Sequence, residues 1–236
     1  MGRQASLWVV VTGAGDVDGA VAGGADRLIA LASPEEGNLS PEPAVVSAIC
    51  RGSEIPVRVV LRLNDGMSTT GGELSRLVGL AEDYLAVGAE GLAFGFVDSQ
   101  LDVDVEVCGY LAESLPEVPW SFSTAIDATL DHDRAWRQVV HLPGLDSVIS
   151  SGSTRGLAAG VEELCDRARD DSDAARLLVA GGGLMSEMVP WLARAGVRSF
   201  LLGRNARPGR SWRSYPDAGY VRSWRLLIDD AVRSAG

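Results

Sequence analysis

The chain has 236 residues, 46% of them hydrophobic, and a formal net charge of −11. That acidity argues against nucleic acid as a partner, because phosphate backbones are bound by basic surfaces, and no apolar run approaches the ~18 residues of a membrane span. All 21 basic residues are arginine, which excludes a Schiff-base lysine, a lysine general base and a Walker-type phosphate lysine.

In chain order, the apolar run at 7–12 (Leu-Trp-Val-Val-Val-Thr) predicts a first strand. A short connection over 16–23 leads into Ala-Val-Ala-Gly-Gly-Ala-Asp-Arg-Leu-Ile-Ala-Leu at 20–31, which reads as helix end, glycine turn and second strand. Ser40 as N-cap and Pro41 in the first turn open a helix over 41–51. A third strand covers 57–62, after Pro56, and a helix over 73–87 carries Leu74, Leu77, Val78, Leu80, Ala81, Tyr84 and Leu85 as an apolar helical face. The helix–glycine–strand junction recurs at 85–95, and in looser form at 142–152 and 192–203. These give the fourth, sixth and eighth strands. Between them, 103–115 and 133–141 read as helices, and 120–126, after Pro119, as the fifth strand. Helices over 154–169 and 186–195 flank a seventh strand at 177–180, and a last helix spans about 217–235. One irregular segment, 204–216, carries Arg204, Arg207, Arg210 and Arg213 with Trp212 and Tyr215.

The repeated strands begin near 26, 91, 146 and 198, so each interval holds about two βα units of roughly 25–35 residues. Eight such units with no dividing linker predict an α/β fold, a single (βα)8 TIM barrel over 1–236, with a parallel closed sheet. Function then belongs at the C-terminal ends of the strands.

Those ends supply the candidates. Arg62, Asp98 and Asp127 are the charged residues expected to converge on the mouth, as a binding group, an acid–base pair or a structural ion pair. Gly181, Gly182, Gly183, Gly203 and Arg204 follow strands seven and eight, where barrels of this type hold anions, and Ser151 and Gly152 end strand six. The same glycines also suit plain tight turns. Ser123, Thr124 and Asp127 offer a small polar, weakly catalytic set, but no histidine is expected near enough to activate a hydroxyl. Asp131-His132-Asp133 reads as a helix cap rather than a metal tripeptide. Gly13, Gly15 and Gly19 lack the spacing of a dinucleotide fingerprint. Cys50, Cys108 and Cys165 form no Cys-x-x-Cys pair, so neither a zinc knuckle nor a disulfide framework is signalled, and a reducing cytoplasm is the simplest setting. Gly2 and Ser6 match a loose N-myristoylation pattern short enough to recur by chance.

Gly24-Ala-Asp-Arg-Leu-Ile-Ala-Leu-Ala-Ser-Pro-Glu-Glu-Gly-Asn-Leu-Ser-Pro41 resembles the CutC family, named for copper homeostasis. Ile55–Arg62, Gly95-Phe-Val-Asp98 with Asp104, Phe122–Asp127, Ser150-Ser-Gly152 and Ala180-Gly-Gly-Gly183 agree in order, over about residues 7–203. The resemblance implies a cytoplasmic (βα)8 barrel, often oligomeric, with copper as the implied metal. The departures are specific. The family's strand-one glutamate and nearby cysteines fall on Trp8–Val11, its strand-two glutamate on Ile29 and its strand-three histidine on Arg58. Its Arg-Pro-Arg becomes Arg62-Leu63-Asn64, and its Phe-His-Arg becomes Phe122-Ser123-Thr124. Copper(I) prefers thiolate, thioether and imidazole ligands, which the expected mouth does not gather. The reading is therefore a divergent CutC-like barrel that binds a small anion, phosphorylated compounds included. Copper handling and a non-catalytic, homo-oligomeric interaction protein, acting through Trp212, Tyr215, Tyr220 and Trp224, are the alternatives.

Overall fold

In the computed structural model, which describes residues 5–236, eight parallel strands pair in sequence order and the last closes on the first. The chain runs β1 (Ser6–Val11), α1 (Val17–Ala22), β2 (Arg27–Ala30), α2 (Pro43–Gly52), β3 (Val57–Val60), α3 (Gly71–Ala86), β4 (Gly91–Phe94) and α4 (Val105–Ser114). It continues with β5 (Trp120–Phe122), α5 (His132–Val139), β6 (Leu145–Ser150), α6 (Leu157–Asp170), α7 (Ser172–Leu177), β7 (Leu178–Ala180), α8 (Val189–Ala195), β8 (Ser199–Leu202) and α9 (Ala218–Ser234). This is the (βα)8 barrel expected from the repeats. Gly2 of the myristoylation pattern lies outside the described residues.

The junction glycines do what the repeat implies. Gly24, Gly88, Gly144 and Gly196 have φ of 94°, 105°, 71° and 110°, a left-handed backbone that costs a Cβ-bearing residue and suits glycine. Aspartates and a threonine start several helices. Asp104 accepts from Val107 N, Asp131 from Arg134 N and Asp217 from Tyr220 N, while Thr70 and Glu73 form a reciprocal capping box on α3. Asp131-His132-Asp133 is thus a helix start.

Several boundaries differ from the sequence reading, each for a local reason. The first helix after β2 starts at Pro43, not Pro41, because the Ser40 hydroxyl is engaged elsewhere: it donates to Val60 O and accepts from Arg62 N. The fifth strand stops at Phe122, not residue 126. Ser123 Oγ accepts from Ala125 N and turns the backbone into a 3-10 helix, Thr124–Ala128. The run before the seventh strand is helical as α7, capped by Asp171, which accepts from Asp173 N and Ala174 N.

The strands alternate between two apolar layers, as expected for a sheet covered by helices outside and filled by side chains inside. Leu7, Val9, Leu28, Val59, Leu92 and Phe122 pack outward against the helices. Trp8, Val10, Ile29, Val60, Ala93 and Ile149 pack inward. Toward the N-terminal end the inner layer turns polar around Arg58, which is fully buried. Its guanidinium meets Asp146 in a two-bond fork at 2.6 and 2.9 Å, donates to Ser121 Oγ (2.7 Å) and Ser147 Oγ (3.1 Å), and reaches Glu90 at 3.3 Å. Arg27 pairs with Glu90 at 3.0 Å, and both arginines lie over the Trp8 ring. The barrel floor is therefore closed by a charge network, and the open end is the carboxyl rim.

Candidate functional site

A cavity of about 530 Å³ opens at that rim. Five strands supply its apolar wall through Val10, Ile29, Val60, Ile149 and Leu201, and Trp212 packs against this cluster and lines the cavity. Among the described residues, Arg62, Arg204 and Arg210 are the only ionisable side chains that line it; no aspartate, glutamate or histidine does. The uncharged polar lining is Asn38, Ser123, Thr124 and Asn205, with the bare backbone of Gly182, Gly183 and Gly203.

Each arginine is placed differently. Arg62 follows β3, is half-buried, and curls over its own loop: Nε donates to Asn64 O (3.0 Å) and Gly66 O (3.2 Å), and one Nη to Asp65 O (2.5 Å). Burial pulls its pKa below the ordinary arginine value, and the charge of Asp65 opposes that shift. A guanidinium remains protonated across the accessible pH range. Arg204 follows β8 and pairs with Glu35 at 3.2 Å across exposed surface. Arg210 is exposed, and among the described residues no hydrogen bond or ion pair engages its side chain.

Arg210 and Trp212 belong to a loop over 206–217 whose ends are joined by a hydrogen bond, Asp217 N to Ala206 O at 2.8 Å, which makes it an Ω-loop. Its base is pinned by a buried ion pair. Arg207, 1% exposed, donates to Asp16 through both Nη atoms (3.0 and 2.8 Å), to Ser214 O (2.6 Å) and to Val10 O (3.2 Å). Asp16 in turn accepts from the backbone and hydroxyl of Thr12. The guanidinium of Arg207 lies 4.8 Å from the Trp212 ring, and a Cβ on Gly203 would come within 3.3 Å of that ring. Trp212 Nε1 is buried without a hydrogen-bond partner.

Of the candidate residues singled out from the sequence, Arg62, Ser123, Thr124, Gly182, Gly183, Gly203 and Arg204 meet at this cavity. Asp98 and Asp127 do not converge there with Arg62. Asp98 closes its own loop, accepting from Gln100 N (2.8 Å) and Asp102 N (3.0 Å). Asp127 is buried and occupied: it accepts from Ser150 Oγ (2.5 Å), Ser151 N (2.8 Å), Ser151 Oγ (2.6 Å) and Gly152 N (3.1 Å). Ser151 and Gly152 are thus the partners of a carboxylate that ties the β5 turn to the end of β6. A Cβ on Gly152 would collide with Gly160 O at 2.3 Å, so its glycine serves the packing of α6. Gly181 backs onto Leu201 behind the wall. Ser123 Oγ caps a turn, and neither His132, at the start of α5, nor His141 lines the cavity, so the hydroxyl has no base beside it. Sequence reasoning did not assign Arg210, Trp212 and Asn205 to the mouth. The density of arginine and tryptophan in 204–216 was the available signal.

The donor set does not fit copper. Cys50, Cys108 and Cys165 sit on α2, α4 and α6, outside the barrel, and burial raises the pKa of all three thiols, that of Cys108 to about 12. Among the described residues no group of three or more His, Cys, Asp or Glu side chains is placed to hold a metal ion. Among the described residues no helix is long and apolar enough to cross a membrane.

The CutC family model matches residues 6–204. A CutC family protein of Klebsiella pneumoniae (strain 342) is 24% identical over 214 residues, covering 86% of this chain and 85% of that protein. The human copper homeostasis protein cutC homolog is 28% identical over 166 residues, covering 69% and 59%. A CutC crystal structure from Streptococcus agalactiae superposes with a TM-score of 0.73 at 18% identity, covering 85% of this chain and 98% of that one. The match to the family model over most of the chain, at this low identity, makes the protein a divergent member of the CutC family.

Proposed function

We propose that this CutC barrel binds a small anionic ligand at its carboxyl rim, in a site from which most of the family's polar side chains have gone. One observation carries the reading: in a chain of net charge −11, the only ionisable groups among the described residues that line the mouth are three arginines. Arginine forks suit carboxylates and phosphates, and the glycines after β7 and β8 leave backbone N–H groups near the same opening. Among the described residues that line the cavity there is no nucleophile–base pair, and the activity proposed is binding. The test is a thermal-shift series with small carboxylates and phosphates. A charged hydrogen bond lost in Arg62→Ala removes about 1–3 kcal/mol of ligand-dependent stabilisation; unchanged shifts in that variant would remove the reading.

Self-association is a second reading, supported by the exposed Trp191 of α8 and by Tyr220 and Leu226 of α9. A monomer by light scattering at micromolar concentration would argue against it.

A further inference from the structure

We infer that the ligand of this mouth is an amphipathic anion, one anionic head on an apolar, ring-sized body. This rests on the anion reading above and adds the character of the ligand's buried half. The arginines lie in loops past the strand ends, whereas Val10, Ile29, Val60, Ile149 and Leu201 line the opening from within or beside the strands. A group entering between those side chains leaves water for a wall without hydrogen-bond partners, which penalises a sugar or nucleoside and favours hydrocarbon. The four uncharged polar side chains, Asn38, Ser123, Thr124 and Asn205, also come from beyond the strand ends, and two of them are engaged: the Asn205 amide donates to Leu184 O, and Ser123 Oγ accepts from Ala125 N. Trp212 adds an aromatic surface to the cavity, held by Arg207 on the loop that also carries Arg210. Charge is therefore available only at the rim and apolar area only inside it. An inorganic anion would use the first and leave the second empty.

Isothermal titration calorimetry of the full chain separates the two halves. The probes are 4-phenylbutyrate, the neutral 4-phenylbutanol, acetate and inorganic phosphate. The expected result is that 4-phenylbutyrate binds at least about tenfold more tightly than each of the other three. Arg210→Ala, at an exposed side chain with no partner to lose, weakens 4-phenylbutyrate, and the near-isosteric Val60→Thr weakens it without changing acetate. If acetate or phosphate binds as tightly as 4-phenylbutyrate, the apolar body is overturned and the anion site stands. If the alcohol binds as tightly as the acid, the anion reading fails and this inference with it. Absence of binding by all four probes overturns both.

Discussion

Arg58 stands in the middle of an otherwise apolar strand, Val57-Arg58-Val59-Val60, and the fold keeps it there by surrounding it with Asp146, Glu90, Ser121 and Ser147. Removing one partner of such a pair strands the other. Arg58→Ala is expected to destabilise the fold by about 3–5 kcal/mol in urea titrations, whereas exchange of exposed Arg204 is expected to change stability by less than about 1 kcal/mol. Asp127 makes a second test. Its carboxylate accepts four hydrogen bonds and lies off the cavity, so Asp127→Ala should cost at least about 3 kcal/mol by leaving buried donors unmet. The less disruptive Asp127→Asn should leave ligand affinity unchanged; a loss of affinity in a folded Asn variant would return Asp127 to the site. At this scale Arg62 and Arg204 were legible because charged residues immediately after apolar strands sit at a barrel's rim. The partners of Arg58 and Asp127 were not, because they lie 32–89 and 23–25 residues away and only the assembled sheet brings them together.

The element that shapes the mouth is the loop over 206–217. The chain holds its base with one buried ion pair, Arg207 with Asp16, across 191 residues, and leaves Trp212 Nε1 unpaired at its centre. Amide hydrogen exchange is expected to show 208–215 opening more readily than the flanking strands, with ligand slowing it. Asp16→Asn should raise exchange through the whole loop; protection equal to that of β1 and β8 in both proteins would contradict the picture of a loop held at its base. The strands and their glycine junctions were readable from sequence because apolar runs and left-handed turns are local. The ion pair that fixes the loop was not readable, since Asp16 appears as one more polar residue after β1 and Arg207 as one of four arginines in a row of turns.

For the whole molecule the charge distribution decides behaviour. The chain is acidic, yet the ionisable side chains that line its cavity, among the described residues, are arginines, so ligand affinity should fall as salt screens the exposed Arg204 and Arg210, while the apolar contribution persists. Stability should depend on acid in a definite direction. Burial opposes ionisation of Asp146, but the hydrogen bonds and charge of Arg58 outweigh it and hold its pKa below the ordinary carboxylate range. Its stabilising effect is thus complete above the unfolded value, near ~3.9, and is lost as pH falls through the folded one. Urea midpoints measured between pH 5 and 2 should fall less steeply in Asp146→Asn than in the parent; equal slopes would mean the pair does not couple to folding.

A crystal grown with 4-bromophenylbutyrate would place the ligand directly by the anomalous signal of bromine. The expected structure has the bromophenyl group inside the barrel mouth against Leu201 and Trp212, with the carboxylate within hydrogen-bonding distance of Arg62, Arg204 or Arg210. Ligand bound elsewhere on the molecule, with only solvent among those three arginines, would contradict it.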